Sequence, residues 1–248
     1  MKIIGVYSIK GGVGKTATTV NLAYLAAEAG HRTLVWDLDP QGAASYFFRI
    51  KPRVKGGGRG LLRGKRSPDD AIKGTDFEGL DLLPADFSYR NMDILLEGAK
   101  KKPVEQLRRL LKPFVKEYDL VLFDCPPSIS LMSENIFRAA DALLVPLIPS
   151  TLSARTLAQL LDFLKSEDGF GALRVLPFFS MVDAARPLHT ETIERLSAEH
   201  PDILPAVIPL APEVERMGLH RMPLAAYAPS NAAAGAYRAL WDEVAMAL

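Results

Sequence analysis

Residues 10–16 read KGGVGKT, a glycine-rich loop that carries two lysines. An apolar run, IIGVY at 3–7, precedes this loop, and the stretch ATTVNLA at 17–23 favours a helix after it. A glycine loop between a strand and a helix is the context in which such a motif binds phosphate, because consecutive backbone N–H groups turn toward the phosphate oxygens. The stretch therefore predicts a nucleotide site in which Lys15 contacts the β- and γ-phosphates and Thr16 binds Mg²⁺.

Short apolar runs alternate with helical stretches along the rest of the chain, which is typical of a parallel sheet covered on both faces. Strands are predicted at 3–8, 33–37, 80–84, 120–124, 142–147, 174–179 and 206–208. Helices are predicted at 15–29, 92–97, 104–116, 133–139, 154–166, 190–199 and 231–247. We therefore expect an α/β fold with a doubly wound, mostly parallel sheet, and one domain over residues 1–248.

The composition excludes several classes of protein. A net charge of +1 gives the whole molecule no preference for a polyanion, and a single cysteine, Cys125, excludes a framework of intrachain disulfides. The chain runs from Met1 directly into the first predicted strand, and no apolar run approaches the roughly 20 residues of a membrane span. We expect a cytoplasmic protein.

Two predicted strands end in aspartates. The first, in LVWDLDPQG at 34–42, delivers Asp37 and Asp39, which strand alternation places on the same side. One carboxylate there would orient the attacking water and the other would act through the metal. The second strand, in LVLFDCPPS at 120–128, delivers Asp124 toward the Mg²⁺ shell. An aspartate at a strand end can also simply begin the turn that follows the strand, but its combination with the phosphate loop favours the functional interpretation.

A basic, glycine-rich stretch at 49–66 interrupts this alternation. It holds eight lysines and arginines and no acidic residue. Neither helical nor strand periodicity is visible, so a loop is predicted. Its function stays open between an electrostatic arm for nucleic acid and a solvated loop, because no aromatic side chain for base stacking lies between Lys51 and Arg66.

The loop KGGVGKT, the stretch DLDPQG at 37–42 and the strand ending at Asp124 resemble the ParA/MinD family of deviant Walker A ATPases, which are P-loop NTPases of the SIMIBI class. The resemblance implies that Lys10 reaches across a nucleotide-sandwich dimer to the partner's ATP, and that Asp39 is needed for hydrolysis. It also implies ATP and Mg²⁺ as cofactors. The metal would be held by Thr16, Asp37 and Asp124. The phosphates would be held by Gly11, Gly12, Val13, Gly14, Lys15, Thr16 and Ala17, the last in place of a more usual Thr or Ser.

The stretch VIPLA at 207–211 resembles the family's I-P-R-N segment, whose backbone flanks the adenine ring. Pro209 and Leu210 are the matching residues, although leucine and alanine replace the family's arginine and asparagine. Basic residues around this region contribute to nonspecific DNA binding in ParA proteins. Here the candidates are Arg186, Arg216 and Arg221, which are displaced from the family pattern and are either a DNA-binding patch or ordinary surface charges.

The resemblance implies an ATPase that dimerises on ATP, binds nonspecific DNA as a dimer, answers to a ParB-like or other activator, and positions a plasmid, chromosome or protein cargo. The basic amphipathic helix with which MinD proteins end has no counterpart after Trp241, so no membrane insertion is expected. Two alternatives stay open. One is a nucleotide-switched scaffold that recruits a protein without touching DNA. The other is a metabolic P-loop enzyme, for which no motif indicates a small-molecule pocket.

Overall fold

The computed structural model describes residues 1–64, 67–99, 102–167 and 169–248. In these residues eight strands form one sheet in the order β3-β4-β2-β5-β1-β6-β7-β8. All neighbouring strands run parallel except β3 against β4. The strands are β1 (Lys2–Val6), β2 (Thr33–Asp37), β3 (Lys73–Gly74), β4 (Leu80–Leu83), β5 (Leu120–Asp124), β6 (Ala142–Leu147), β7 (Arg174–Val182) and β8 (Val207–Pro209).

Helices cover both faces of this sheet. They are α1 (Lys15–Glu28), α2 (Ala43–Phe47), α3 (Gly57–Leu62), α4 (Met92–Glu97), α5 (Gln106–Leu111), α6 (Leu131–Ala139), α7 (Thr151–Ser166), α8 (Pro187–Glu199), α9 (Pro212–His220), α10 (Leu224–Tyr227) and α11 (Ala232–Ala247). Side chains alternate between the two faces, so Ile3 packs in one apolar cluster and Ile4 in the other. The predicted doubly wound α/β fold is confirmed.

None of the helices in the described ranges combines the length and apolarity that a bilayer crossing needs.

The centre of the sheet decides where the functional side chains meet. Strand β5 lies between β1 and β2, and the register pairs Asp124 with both Val6 and Asp37. The phosphate loop follows β1 directly. The loop and both strand-end aspartates therefore share one carboxyl edge, which is where parallel α/β sheets bind ligands.

The predicted single helix at 104–116 is wrong. A 3₁₀ turn at Pro103–Glu105 leads into α5, and a second 3₁₀ turn at Lys112–Lys116 follows it. Pro113 explains the break, because proline has no N–H to donate and its ring clashes with the carbonyl four residues earlier.

The predicted loop at 49–66 is also corrected, because α3 occupies Gly57–Leu62 within it. Gly56, in the left-handed region at φ 87°, starts the helix, and the side chains of Leu61 and Leu62 are buried. This burial outweighs the low helix propensity of three glycines in six residues. Lys65 and Arg66 lie outside the described residues.

Candidate nucleotide and magnesium site

The phosphate loop is shaped by glycines at the start of α1. Gly12 and Gly14 have φ values of 71° and 90°, and Gly14 precedes the first helical residue. Among the described residues, no side chain caps this helix and its first turn holds no acidic residue. A Cβ added at Gly11 or Gly12 would meet no atom of the described residues within 4 Å. The loop thus leaves space beside Gly11 and Gly12, and the N–H groups at the start of α1 that no side chain caps are suited to bind a phosphate group.

The two lysines of the loop have different surroundings. Lys15 is buried, and its ammonium donates to the carbonyl oxygen of Lys10 at 3.3 Å. Burial lowers the pKa of Lys15, and the charge of Asp124 opposes this effect. Lys10 is half-buried, and no hydrogen bond or ion pair holds its ammonium in the described part of the chain. Lys15 is thus fixed within the loop, whereas Lys10 is free to contact a further group.

Asp124, at the end of β5, is bound to the first turns of α1. The Thr16 hydroxyl donates to Asp124 Oδ2 at 2.9 Å, and Thr19 Oγ1 lies 3.4 Å from Oδ1. Burial, together with the nearby charge of Asp37, raises the pKa of Asp124 well above its ordinary value. Thr19 was not among the predicted site residues, although its position three residues after Thr16 places both hydroxyls on one helical face.

Asp37, at the end of β2, is fully buried. Its Oδ2 accepts from the backbone N–H of Ser45 at 2.8 Å and from the Ser45 hydroxyl at 2.7 Å. Burial raises the pKa of Asp37 to about 6, and the bonds from Ser45 oppose this rise. Ser45 also accepts from Ala85 N at 3.0 Å, which ties α2 to the end of β4. No sequence pattern predicted the role of Ser45, because only the tertiary fold brings α2 next to Asp37.

The residues present fit a magnesium ion. Asp37 Oδ1 is buried and has no hydrogen-bond donor among the described residues. Mg²⁺ prefers oxygen ligands and is usually held by one or two carboxylates together with phosphate oxygens. Thr16, Asp37 and Asp124 would supply a hydroxyl and two carboxylates. When bound, the ion would neutralise charge on the phosphate oxygens and lower the pKa of both carboxyl groups.

Asp39 lies two residues beyond the strand and is half-buried. Its Oδ1 accepts from Gln41 N at 2.9 Å, and its charge contributes to the raised pKa of Asp37 and of Asp124. The fold thus brings all three carboxylates to one edge, with Asp39 the most accessible of them.

The two residues predicted to flank adenine, Pro209 and Leu210, lie at β8, the edge strand at the end of the sheet opposite β3. Pro209 ends β8, and Leu210 N donates to Val182 O at 2.8 Å, so this segment continues alongside the end of β7. Leu210 is about half exposed, at 51%. Their contact with adenine stays a prediction.

The residues predicted to bind DNA differ in how they are held. Arg186 pairs with Asp183 at 3.0 Å. Arg221 lies over the Tyr46 ring, 4.4 Å from its centroid, and its Nε donates to the carbonyl oxygen of Tyr46 at 3.0 Å. Arg216 is exposed on α9. Two of the three guanidinium groups thus hold the protein's own elements together, and DNA binding by the three residues stays a prediction.

Comparison with known proteins places this site in a family. A model described as "AAA domain" matches residues 1–168. The chain is 32% identical over 249 residues to the sporulation initiation inhibitor protein Soj of Bacillus subtilis, covering 98% of each chain. It is 31% identical to the chromosome partitioning protein ParA of Caulobacter vibrioides, covering 98% of this chain and 94% of that one.

A solved structure shares the fold over nearly the full length. It is the cobyrinic acid a,c-diamide synthase of Mycobacterium smegmatis with bound ADP and magnesium, with a TM-score of 0.81, 26% identity, and coverage of 99% of this chain and 94% of that one. The sequence-based predictions of the family, of ATPase activity and of ATP and Mg²⁺ as cofactors are confirmed. The chain belongs to the ParA/MinD family of ATPases.

Proposed function

We propose that the protein is an ATP-driven switch that dimerises face to face on ATP, binds nonspecific DNA as the dimer, and releases it after hydrolysis. Such a cycle positions a cargo, which is a plasmid, a chromosome or a protein assembly. One observation carries this proposal. The ammonium of Lys10, on the phosphate loop, has no hydrogen bond or ion pair in the described residues, whereas the ammonium of Lys15 is held within the loop by the carbonyl oxygen of Lys10.

The roles of the other residues follow from their positions. Lys15 and the N–H groups of residues 11–17 would hold the phosphates, and Asp39, the accessible carboxylate, would orient the attacking water. A ligand shifts an equilibrium only by its different affinity for the two states. The γ-phosphate would supply that difference through Lys10 of the partner subunit, so ATP would favour the dimer more than ADP does.

The finer parts of the proposal come from the family resemblance. Pro209 and Leu210 would flank the adenine, and residues 1–248 would act as one domain. A ParB-like or other activator would stimulate turnover in the cytoplasm, and DNA binding would place the dimer on the nucleoid. Arg186, Arg216 and Arg221 stay candidates for DNA contact.

The test separates the two lysines. We expect Lys15→Ala to abolish ATP binding, and Lys10→Ala to bind ATP but form no stable dimer. Binding is measured with a fluorescent ATP analogue, and dimerisation by sedimentation velocity with a nonhydrolysable analogue. Lys73→Ala, on the exposed strand β3, is the matched control and should behave as wild type. A Lys10→Ala dimer as tight as that of the wild type would contradict the cross-dimer role.

A scaffold that recruits a protein without touching DNA is the second candidate. The contacts of Arg186 with Asp183 and of Arg221 with Tyr46 favour it, because side chains so engaged are less available to phosphates. Binding of duplex DNA by the ATP-loaded dimer, weakening steeply as salt rises, would exclude this candidate.

A further inference from the structure

The charge of this chain is segregated along the sequence. We call residues 51–63 the basic segment, after its five cationic residues: Lys51, Arg53, Lys55, Arg59 and Arg63. The surrounding stretch 49–66 contributes +8 and holds no acidic residue, whereas the whole chain carries +1, so the rest of the chain carries −7. The positive charge concentrated in this stretch would attract a polyanion.

The basic segment is held in place by hydrogen bonds to the residues that follow β4. Val54 N donates to Asp86 Oδ2, and Gly58 N donates to Ser88 Oγ, both at 2.9 Å. A Cβ on Gly57 would lie 2.5 Å from the same Ser88 Oγ. The glycines therefore permit close packing of the backbone, and the charges stand on a defined surface beside the carboxyl edge of the sheet.

The five cationic side chains of the basic segment are exposed, and no ion pair involves them in the described ranges. Some cations elsewhere are paired, as Arg49 is with Asp76 at 3.1 Å and Arg32 with Asp119 at 2.8 Å. Arg59 and Arg63 stand four residues apart, on α3 and its C-terminal cap, which places their side chains on one face of the helix. Contact with phosphates would cost these cations no existing ion pair and would release counterions.

The start of the basic segment touches the loop that carries Asp39. A Cβ on Gly42, the last residue of the DPQG stretch, would lie 2.8 Å from Pro52 Cβ. After Gly42, α2 places Ser45 on Asp37. A movement of this loop with the nucleotide state would therefore displace the basic segment directly.

We propose that the basic segment is the surface that binds the phosphate backbone of duplex DNA when ATP is bound. This inference rests on the proposed function and locates its DNA contact. The absence of aromatic residues from 51–66 favours phosphate contact over the base stacking by which single strands are bound. Recognition is then independent of DNA sequence.

The test compares two triple variants by fluorescence anisotropy with a labelled random-sequence duplex, over a salt series, with Mg²⁺ and a nonhydrolysable ATP analogue. R53Q/K55Q/R59Q removes three charges from the basic segment. The control R108Q/R109Q/K112Q removes three exposed charges from α5 and the residue after it. Each lost phosphate contact reduces the slope of log K against log salt by about 0.9. We expect a reduction of about 2 to 3 and at least tenfold weaker binding near 0.1 M salt for the first variant only.

ATP binding and ATP-dependent dimerisation, measured on the same samples, should be unchanged in both variants. The charge-conserving R53K/R59K should bind DNA as wild type. If the triple variant does not fold, the single variants K55Q and R59Q replace it in the test, and each should reduce the slope by about 0.9. If the wild type binds DNA and the triple variant keeps the wild-type salt slope, the DNA-binding role of the basic segment is overturned, while the DNA step of the proposed function stands. A wild type that dimerises on ATP but binds no duplex would overturn both this inference and the DNA step of the proposed function.

Discussion

At the scale of single residues, two buried carboxylates lie side by side at the ends of β2 and β5. The pKa of Asp37 and that of Asp124 are raised chiefly by burial; the charge of Asp37 raises the pKa of Asp124 further, and the charge of Asp39 raises both. Their ionised forms are therefore costly until a cation arrives. Protonation, or a bound Mg²⁺ ion, would each offset this cost and would therefore stabilise the fold.

We expect the free energy of unfolding of the nucleotide-free protein to fall as the pH rises from about 4 through 6. The pKa of Asp37 is about 6 in the fold and 3.8 ordinarily, so the folded state holds the proton more tightly over this window. Stability gained from protonation is fully present below the ordinary pKa and lost above the raised one.

Asp37→Asn should therefore stabilise the metal-free protein at neutral pH by on the order of 2 kcal/mol and flatten its pH dependence. Urea unfolding at several pH values measures this effect. Asp162→Asn removes the same charge from the exposed face of α7 and should keep the wild-type pH profile. If the free energy of unfolding of Asp37→Asn depends on pH as that of the wild type does, Asp37 is not the source of this pH dependence.

Asp39, the most accessible of the three carboxylates, is predicted to orient the attacking water, and a second substitution tests this role. Asp39→Ala should retain ATP and the ATP dimer but lose turnover by roughly 100-fold or more, because displacing the attacking water removes a positioned nucleophile. Phosphate release measures turnover, and Asp162→Ala is the control. Unimpaired hydrolysis by Asp39→Ala would show that another group orients the water.

At the scale of elements, α3 shows how tertiary contacts override local propensity. Its glycines disfavour a helix, yet Leu61 and Leu62 are buried and Gly58 N is bonded to Ser88. The break in the helix predicted at 104–116 is the opposite case. There the local signal, Pro113, was present in the sequence and outweighed the apolar periodicity around it.

Two glycines of this region form a matched pair for a stability measurement. Both Gly57 and Gly64 lie in the left-handed region, with φ of 58° and 65°. Among the described residues, a Cβ would meet a neighbour at Gly57, Ser88 Oγ at 2.5 Å, and none within 4 Å at Gly64. Gly64→Ala should cost about 1 kcal/mol from the backbone alone, and Gly57→Ala should cost about 2 kcal/mol or more. Chemical denaturation measures both values. Equal costs would mean that α3 is not packed on Ser88.

At the scale of the whole molecule, strand order assembles the site. The aspartates at 37 and 124 are far apart in sequence, and they meet because β5 lies between β1 and β2. Alternating apolar runs predicted every strand of this sheet except the short β3, with ends shifted by a few residues. They did not predict α2, α3, α9 or α10, which have between four and nine residues each.

The sequence by itself determined the phosphate loop, the strand-end aspartates and the fold class, because backbone conformation and side-chain periodicity are local properties. Only the tertiary structure decided that Ser45 binds Asp37, that Arg221 lies over Tyr46, and that the basic segment packs against Ser88. These contacts join residues distant along the chain, and their energies depend on burial and on the approach of separate elements, which no local pattern encodes.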